Sequence, residues 1–325
     1  MTTTPVFELC DMLRTRRAGR TRTEKRFVAN YVDSLPGVSR DQYGNRYVRV
    51  GGTGAPPVMW SCHTDSVHTM GGAQSIIGDG DLIRLDPANK ESNCLGADDA
   101  TGVWLMRQMI LRQIPGLYIF HRDEETGGRG SDWIVRNNAS ALDGIQWCIA
   151  LDRKGRDSVI THQGARTASD QFARDMAAQL GGEYKPDSGG IFTDSANYRD
   201  LIPECSNLSI GYGDAHSPGE YQDARFALEL LEKLCALDFS SMTVSRNPAQ
   251  PESWSDYYAE SRDFDDMWLY PERRRLSAQD NYRELVALLR DYPEDVADYL
   301  ERQGFGAHDI ADEIGLYGLR HYRGM

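Results

Sequence analysis

Apolar and polar positions fall into two kinds of block along this chain. Helical periodicity runs over 7–13 and 24–35, with Phe27, Val28, Tyr31 and Val32 on one face. It returns over 103–114, closed by Pro115, then at 132–137, 169–180 and 224–237. Short apolar runs at 47–50, 58–62, 82–85, 117–120, 145–151, 159–162 and 208–212 have the length and composition of strands. Residues 14–26 are locally basic and read as solvated surface, and 71–81 reads as loop. Strands and helices in alternation predict an α/β domain over 1–240. Composition then shifts. Residues 248–275 are rich in acids and aromatics, including Trp254, Tyr257, Tyr258, Phe264, Trp268 and Tyr270. Two short helices are expected at 276–292 and 294–303, the first with Tyr282, Leu285, Val286 and Leu289 on an apolar face that needs a partner. Residues 241–325 therefore read as a small helical C-terminal appendage.

Charge and composition narrow the function. The chain has 325 residues, of which 40% are hydrophobic, and a net charge of −13. So acidic a chain repels nucleic acid and anionic membrane surfaces, and aromatic side chains without a basic groove do not make a nucleic-acid platform. No apolar run approaches the length of a membrane-spanning helix, and 1–5 lacks the regions of a signal peptide. The six cysteines, Cys10, Cys62, Cys94, Cys148, Cys205 and Cys235, are scattered without a CxxC pair. That suits buried thiols in a reducing cytoplasm better than disulfides or a cysteine zinc site.

The chemistry gathers around residues 119–131. There an apolar strand runs into Asp123-Glu124-Glu125 and then into glycines, as a strand turning into a helix would. Side chains at i and i+1 of an extended chain point apart, so one glutamate can bind a cation while its neighbour handles a proton. Alone, the pair reads as a solvated acidic turn. Other strand ends change that. The strand at 58–62 ends in His63-Thr64-Asp65, where Asp65 can accept the second ring proton of His63. The strand at 145–151 ends in Asp152. Asp98-Asp99 precede a helix that needs only one of them as a cap, and His216 follows the strand at 208–212. Sites in open α/β sheets form beyond the carboxyl ends of the strands, so these groups can converge. That many carboxylates repel one another unless divalent cations sit among them. Two histidines and three carboxylates, one bridging, would hold two zinc ions about 3.5–4 Å apart. His68, His121, His162, His308 and His321 have no partner motif and read as ordinary.

The ordered set resembles the co-catalytic dinuclear zinc exopeptidases, which include bacterial leucyl aminopeptidases, tripeptidase T and glutamate carboxypeptidase-like amidohydrolases. The matching motifs are His63-x-Asp65, Gly96-Ala97-Asp98-Asp99-Ala100-x-Gly102, Glu124-Glu125-x-Gly127-x-x-Gly130-Ser131, Asp152 and His216-Ser217-Pro218-Gly219-Glu220. The resemblance implies a phosphorylase/hydrolase-like fold, a mixed central β-sheet flanked by helices. It implies that Asp98 bridges both metals, with His63 and Asp152 completing one shell and Glu125 and His216 the other. Asp65 then orients His63, Glu124 is the general base, and the Asp98–Asp99 peptide is cis. Thr193-Asp194 resembles a substrate-side loop of the tripeptidase-like members. Asp152 and His216 are only about 64 positions apart, so the dimerisation domain that many members insert there is expected to be absent. The implied activity is a metallohydrolase cleaving an amide or peptide bond of a small substrate, an aminopeptidase or di/tripeptidase first. It uses two divalent ions, zinc before manganese or cobalt. The alternatives are an N-deacylase or desuccinylase, or an inactivated fold used for binding, although no ligand or base is missing. Homo-oligomerisation is left open.

Overall fold

The runs at 58–63, 116–121 and 147–151 are apolar at nearly every position, so each needs cover on both faces. The structure, a computed structural model, describes residues 5–52, 54–250, 289, 290, 293 and 297. Helix α1 (Pro5–Leu13), strand β1 (Thr15–Arg16) and helix α2 (Arg22–Tyr31) come first, then β2 (Ser39–Arg40), β3 (Arg46–Val50) and β4 (Val58–His63). Strands β5 (Gly72–Ala73), β6 (Ile76–Asp79) and β7 (Leu82–Leu85) lead to helix α3 (Ala97–Leu111) and β8 (Gly116–His121). Next are α4 (Arg129–Asn137), β9 (Trp147–Arg153), β10 (Ser158–Ile160), α5 (Asp170–Leu180) and β11 (Lys185–Asp187). Strands β12 (Glu204–Ser209), β13 (Tyr212–Gly213) and β14 (Tyr221–Asp223) precede α6 (Ala224–Cys235).

Eight strands form one mixed sheet in the order β11-β10-β12-β9-β4-β8-β3-β2. Its four central strands, β12, β9, β4 and β8, are parallel, while β3 and β10 run antiparallel to their inner neighbours. Parallel strands put their carboxyl ends on one edge, and this is what places Asp152, His63 and the chain after His121 together. The period of two sorts the core. Trp60, Cys62, Tyr118, Phe120, Ile149 and Leu151 enter one cluster with residues of α1, α3, α5 and α6. Met59, Leu117, Ile119 and Cys148 enter the other, with Ile134 of α4 and Tyr198. A separate antiparallel sheet, β13-β14-β7-β6, carries the chain from Tyr212 past Glu220.

Several expectations shift. The stretch 71–81 holds β5 and β6, whose residues are mostly exposed and so lack the apolar signature of a strand. The strand expected at 208–212 is β12, starting at Glu204, with β13 separate. Its polar residues Ser206 and Asn207 are buried because each has a partner: Ser206 Oγ donates to Ile160 O at 2.7 Å, and Asn207 Oδ1 accepts from Asp152 N at 3.0 Å. The basic stretch 14–26 is not all solvated, since Arg16 and Arg17 are buried. Between Asp152 and His216 the chain builds β10, α5, β11 and β12 in or on the large sheet, and then β13 of the smaller one. The first compact unit of the chain runs from Met1 to Glu252, past the boundary expected at 240. Residues 242–246 are why: Met242 is buried, and the Ser245 and Arg246 N–H groups donate to buried Glu204 at 2.8 and 3.0 Å. The expected helices at 276–292 and 294–303 lie almost wholly outside the described residues, as do His308 and His321.

Candidate metal centre

Asp98 is the centre of the arrangement. Its Oδ1 lies 3.0 Å from His63 Nε2, and its Oδ2 lies 3.2 Å from His216 Nε2. The two histidines therefore address opposite oxygens of one carboxylate. Asp152 Oδ1 approaches His63 Nε2 at 3.5 Å, and Glu125 Oε2 approaches His216 Nε2 at 3.4 Å. The five residues form two groups joined at Asp98, His63 with Asp152 and His216 with Glu125. His63 is buried at the end of β4, whereas the His216 side chain is 50% exposed on the loop before β14. The site is closed below and open at His216.

Local structure explains the placement. The Asp98–Asp99 peptide is cis. Asp99 caps α3: its Oδ1 accepts from Gly102 N at 3.0 Å, and its Oδ2 accepts from His63 N at 3.1 Å. Its oxygens are thereby spoken for, although they also fall within metal-binding distance of His63 and Asp152 atoms. Proximity there follows from the bond to the His63 backbone, and Asp98 is the aspartate left facing the histidines. Glu124 and Glu125 sit on a tight turn rather than in extended chain, with Asp123 in the left-handed region at φ 58°. Gly127 N and Gly128 N both donate to Glu124 O at 2.9 Å. Asp65 acts differently from its expected part. Its carboxylate is 3.7 Å from His63 Nδ1, while its backbone carbonyl is the nearer partner at 3.2 Å. The carboxylate accepts instead from Glu124 N at 3.2 Å and Glu125 N at 3.3 Å, and so holds the glutamate turn.

Four residues beyond the expected set shape the centre. The Arg17 guanidinium, fully buried, donates to Thr64 O at 3.3 Å, Gly96 O at 2.9 Å and Asp98 O at 3.4 Å. Buried Glu220 accepts from the N–H groups of Leu95 and Gly96 at 2.9 Å and of Asp98 at 3.1 Å. The two side chains grip the loop before Asp98 through its carbonyls and its amides. Thr193 Oγ1 donates to Asp152 Oδ2 at 2.7 Å, and Tyr212 Oη donates to Asp152 O at 3.0 Å. Glu220 and Thr193 stand inside quoted motifs and were legible as polar residues at loops. Arg17 carries no such signal, because a run of arginines looks the same on a surface. Among the remaining histidines, His68 meets Ser66 and Gln74, and His121 meets Tyr198 Oη at 2.6 Å.

Electrostatics show how much positive charge the centre lacks. Burial pushes Glu124 and Asp99 well above the usual carboxylate range. Burial and then the Asp98 charge raise Asp152 to about 6. Burial also raises Asp98, but the bonds from His216 and His63 outweigh it and hold Asp98 below its ordinary value. His216 is raised to about 10 by Asp98 and then Glu125. His63 is raised despite its burial, chiefly by Asp152. Divalent cations among these groups would favour their charged, unprotonated forms. Glu125 Oε1 is buried without a hydrogen-bond partner, which an additional cation would satisfy. Donor types, convergence and this orphaned oxygen all fit divalent metal.

No protein-family model and no curated protein matches the chain. Solved structures do. Aminopeptidase PepT from Bacillus cereus superposes with a TM-score of 0.57 at 14% identity, over 71% of this chain and 96% of that one. A tripeptidase from Staphylococcus aureus gives 0.58 at 14% identity, over 71% and 96%. The chain shares their fold. The TET1 peptidase of Pyrococcus horikoshii is similar as well, with a TM-score of 0.52 at 14% identity over 72% of this chain and 99% of that one. The mixed sheet flanked by helices, expected from the motifs, is this fold.

Proposed function

We propose that the chain is a metal-dependent hydrolase that cleaves an amide or peptide bond in a small substrate, an exopeptidase of the aminopeptidase or di/tripeptidase kind. The observation that carries this reading is Asp98 with a different histidine on each oxygen, at 3.0 and 3.2 Å. That is the donor pattern of a carboxylate bridging two ions. His63 and Asp152 would hold one ion and Glu125 and His216 the other, with zinc the first choice for such mixed ligands. When bound, the pair of ions supplies Lewis-acid polarisation of the carbonyl and a more acidic water. The residues do the rest. Asp65 and the Glu124 carbonyl fix the turn, so that Glu124 projects beside Glu125 without sharing its ligand role. Glu124 takes a proton from the attacking water, the hydroxide oxygen bonds to the carbonyl carbon, and the C–N bond breaks as Glu124 returns the proton to the leaving nitrogen. Thr193 holds Asp152 in register, while Arg17 and Glu220 hold Asp98.

Similarity of fold to aminopeptidases and tripeptidases supports this reading. One of those peptidases, TET1, assembles into a tetrahedron or a large octahedral shell. Self-association of this chain belongs to the same proposal and is read by sedimentation. All six cysteines are free, as a cytoplasmic protein would have them. Among the described residues no helix is long and apolar enough to cross a membrane. The deciding experiment is a panel of aminoacyl-anilides, dipeptides and N-acyl amino acids, run with zinc, manganese and cobalt, beside elemental analysis of gently purified protein. Turnover of anilides or dipeptides with about two ions per chain is expected. Turnover confined to N-acyl amino acids makes it a deacylase. Protein that neither holds metal nor gains activity from it overturns the proposal.

A further inference from the structure

Strand β3 has a partner on its outer edge for only two residues. Ser39 pairs with Tyr47 and Arg40 with Arg46, and β2 goes no further. Across the same hairpin Asp41 N donates to Asn45 O at 3.2 Å. Backbone groups of an antiparallel strand alternate between its two neighbours, so residues 45, 47 and 49 address this edge and 46, 48 and 50 address β8. Arg49 therefore turns its N–H and C=O outward, toward the place opposite Gly37. Gly37 lies in the left-handed region at φ 71°, and no backbone bond joins it to Arg49. The gap is a cavity of about 370 Å³ lined by both residues. Leu117, Ala141 and Tyr47 give it apolar surface, and Arg40 and Arg49 stand exposed at it. Neither guanidinium has a partner among the described residues, whereas neighbouring Arg46 is taken by Asp33 at 2.9 and 3.2 Å. The carboxylate of the lining is taken as well. Asp41 Oδ1 accepts from Gly44 N at 2.7 Å and Asn45 N at 2.9 Å, and its Oδ2 accepts from Asn45 Nδ2 and Tyr47 Oη, both at 2.8 Å.

We propose that this cavity binds the C-terminal residue of a peptide, and that it does so independently of the metal centre. Leu117 opens β8, at the end of the strand away from the glutamate turn. Each part of a C-terminal residue has its match in the gap. The amide N–H of the peptide donates to the outward Arg49 C=O, as a neighbouring strand would. The α-carboxylate accepts from the Arg49 N–H and from the two free guanidinium groups. An apolar side chain covers Leu117 and Ala141. The gap takes one residue, because the next outward position after 49 is 51, beyond the end of β3 at Val50. A free amino terminus fits badly: two arginines repel its ammonium, and the Asp41 oxygens that would neutralise it are already occupied.

The test is calorimetry on the full chain carrying Glu124→Gln, so that no probe is consumed. The probes are N-acetyl-alanyl-leucine, its C-terminal amide and inorganic phosphate. The free acid is expected to bind about 10-fold tighter than the amide or more, because its carboxylate takes charge-assisted hydrogen bonds that the amide lacks. Arg49→Gln and Arg40→Gln should each weaken the acid by about 10-fold and leave the amide within about 2-fold. Both side chains are exposed, so the thermal midpoints of these variants should match the parent. No binding, equal binding of acid and amide, or acid binding that neither arginine variant weakens overturns the proposal, the last by placing the acid elsewhere, as at the metal centre. Phosphate that binds as tightly as the acid and displaces it makes the cavity a general anion site and overturns the peptide assignment. A dimer in sedimentation that dissociates in Arg49→Gln makes the occupant a second copy of the chain, and overturns it too.

Discussion

At the scale of the residue, the proposed function gives two adjacent glutamates different work. Glu125 faces His216 at 3.4 Å, whereas Glu124 is pushed well above the usual carboxylate range by burial. Their substitutions should separate. Glu124→Gln keeps the shape and removes the base, so metal content and thermal midpoint should hold while kcat falls by about 10²–10⁴. Glu125→Gln should lose metal first, seen by elemental analysis, with inactivity following from that loss. Reversal of the two phenotypes would exchange the roles. Asp65 shows how an expected partner can act through another atom. A His-x-Asp spacing predicted a carboxylate on the imidazole, but the carboxylate takes the amides of Glu124 and Glu125. The Asp65 carbonyl is the atom nearer His63 Nδ1, at 3.2 Å.

At the scale of the element, the site depends on how closely α3 approaches the sheet. Gly102, on the first turn after the Asp99 cap, lies where a Cβ would be 2.3 Å from Leu151 O. The obstacle is backbone of β9, one residue before Asp152, and cannot rotate away. Gly102→Ala should therefore cost about 1–3 kcal/mol in chemical denaturation and weaken metal retention by moving Asp98 against Asp152. Unchanged stability and metal content would show that the helix shifts without the ligands following. Gly130 is the counterpart in α4, with the Arg122 carbonyl 2.3 Å from its Cβ position. Both glycines stood in the motifs as letters without a reason; packing supplies the reason.

At the scale of the whole molecule, the burial of so many carboxylates ties stability to pH. Burial raises Asp194 to about 8 and Glu220 to about 7, and burial with the Asp98 charge raises Asp152 to about 6. An acid raised on folding binds its proton in the folded state at a pH where the unfolded chain has released it. Its contribution is present below the unfolded value near 4 and is lost as pH rises through the folded value. His216, raised to about 10, acts in the same sense, whereas His68 and His121, lowered to about 3 by burial, act in the opposite sense below their ordinary value of 6.5. Metal-free protein should thus lose stability from about pH 6.5 to 8, roughly 1.4 kcal/mol per pH unit for each proton released. Zinc should restore it most strongly at the upper end. A thermal midpoint that rises with pH in the metal-free protein would contradict this. The boundary of the unit is testable as well. A chain ending at Gln250 keeps the Ser245 and Arg246 bonds to Glu204 and should melt higher than one ending at 240. A chain ending at 240 leaves that buried carboxylate short of two donors and should lose about 1–3 kcal/mol.

What the chain determined by itself was the alternation of elements and the identity of the ligand candidates. Apolar strands that stop abruptly at His63, at Asp152 and just before the glutamate turn are local events, and local order is readable along one dimension. The parallel pairing of β12, β9, β4 and β8, which turns separate strand ends into one edge, was implied by resemblance and realised only in three dimensions. Tertiary structure alone decided the rest. Arg17 lies 81 positions from Asp98 yet donates to its carbonyl, and Glu220 lies 122 positions from the Asp98 amide it accepts. Neither contact leaves a periodic trace, because a buried charge is selected by the groups folded around it and not by its neighbours in sequence. Burial also decided which of two adjacent aspartates caps a helix and which faces two histidines.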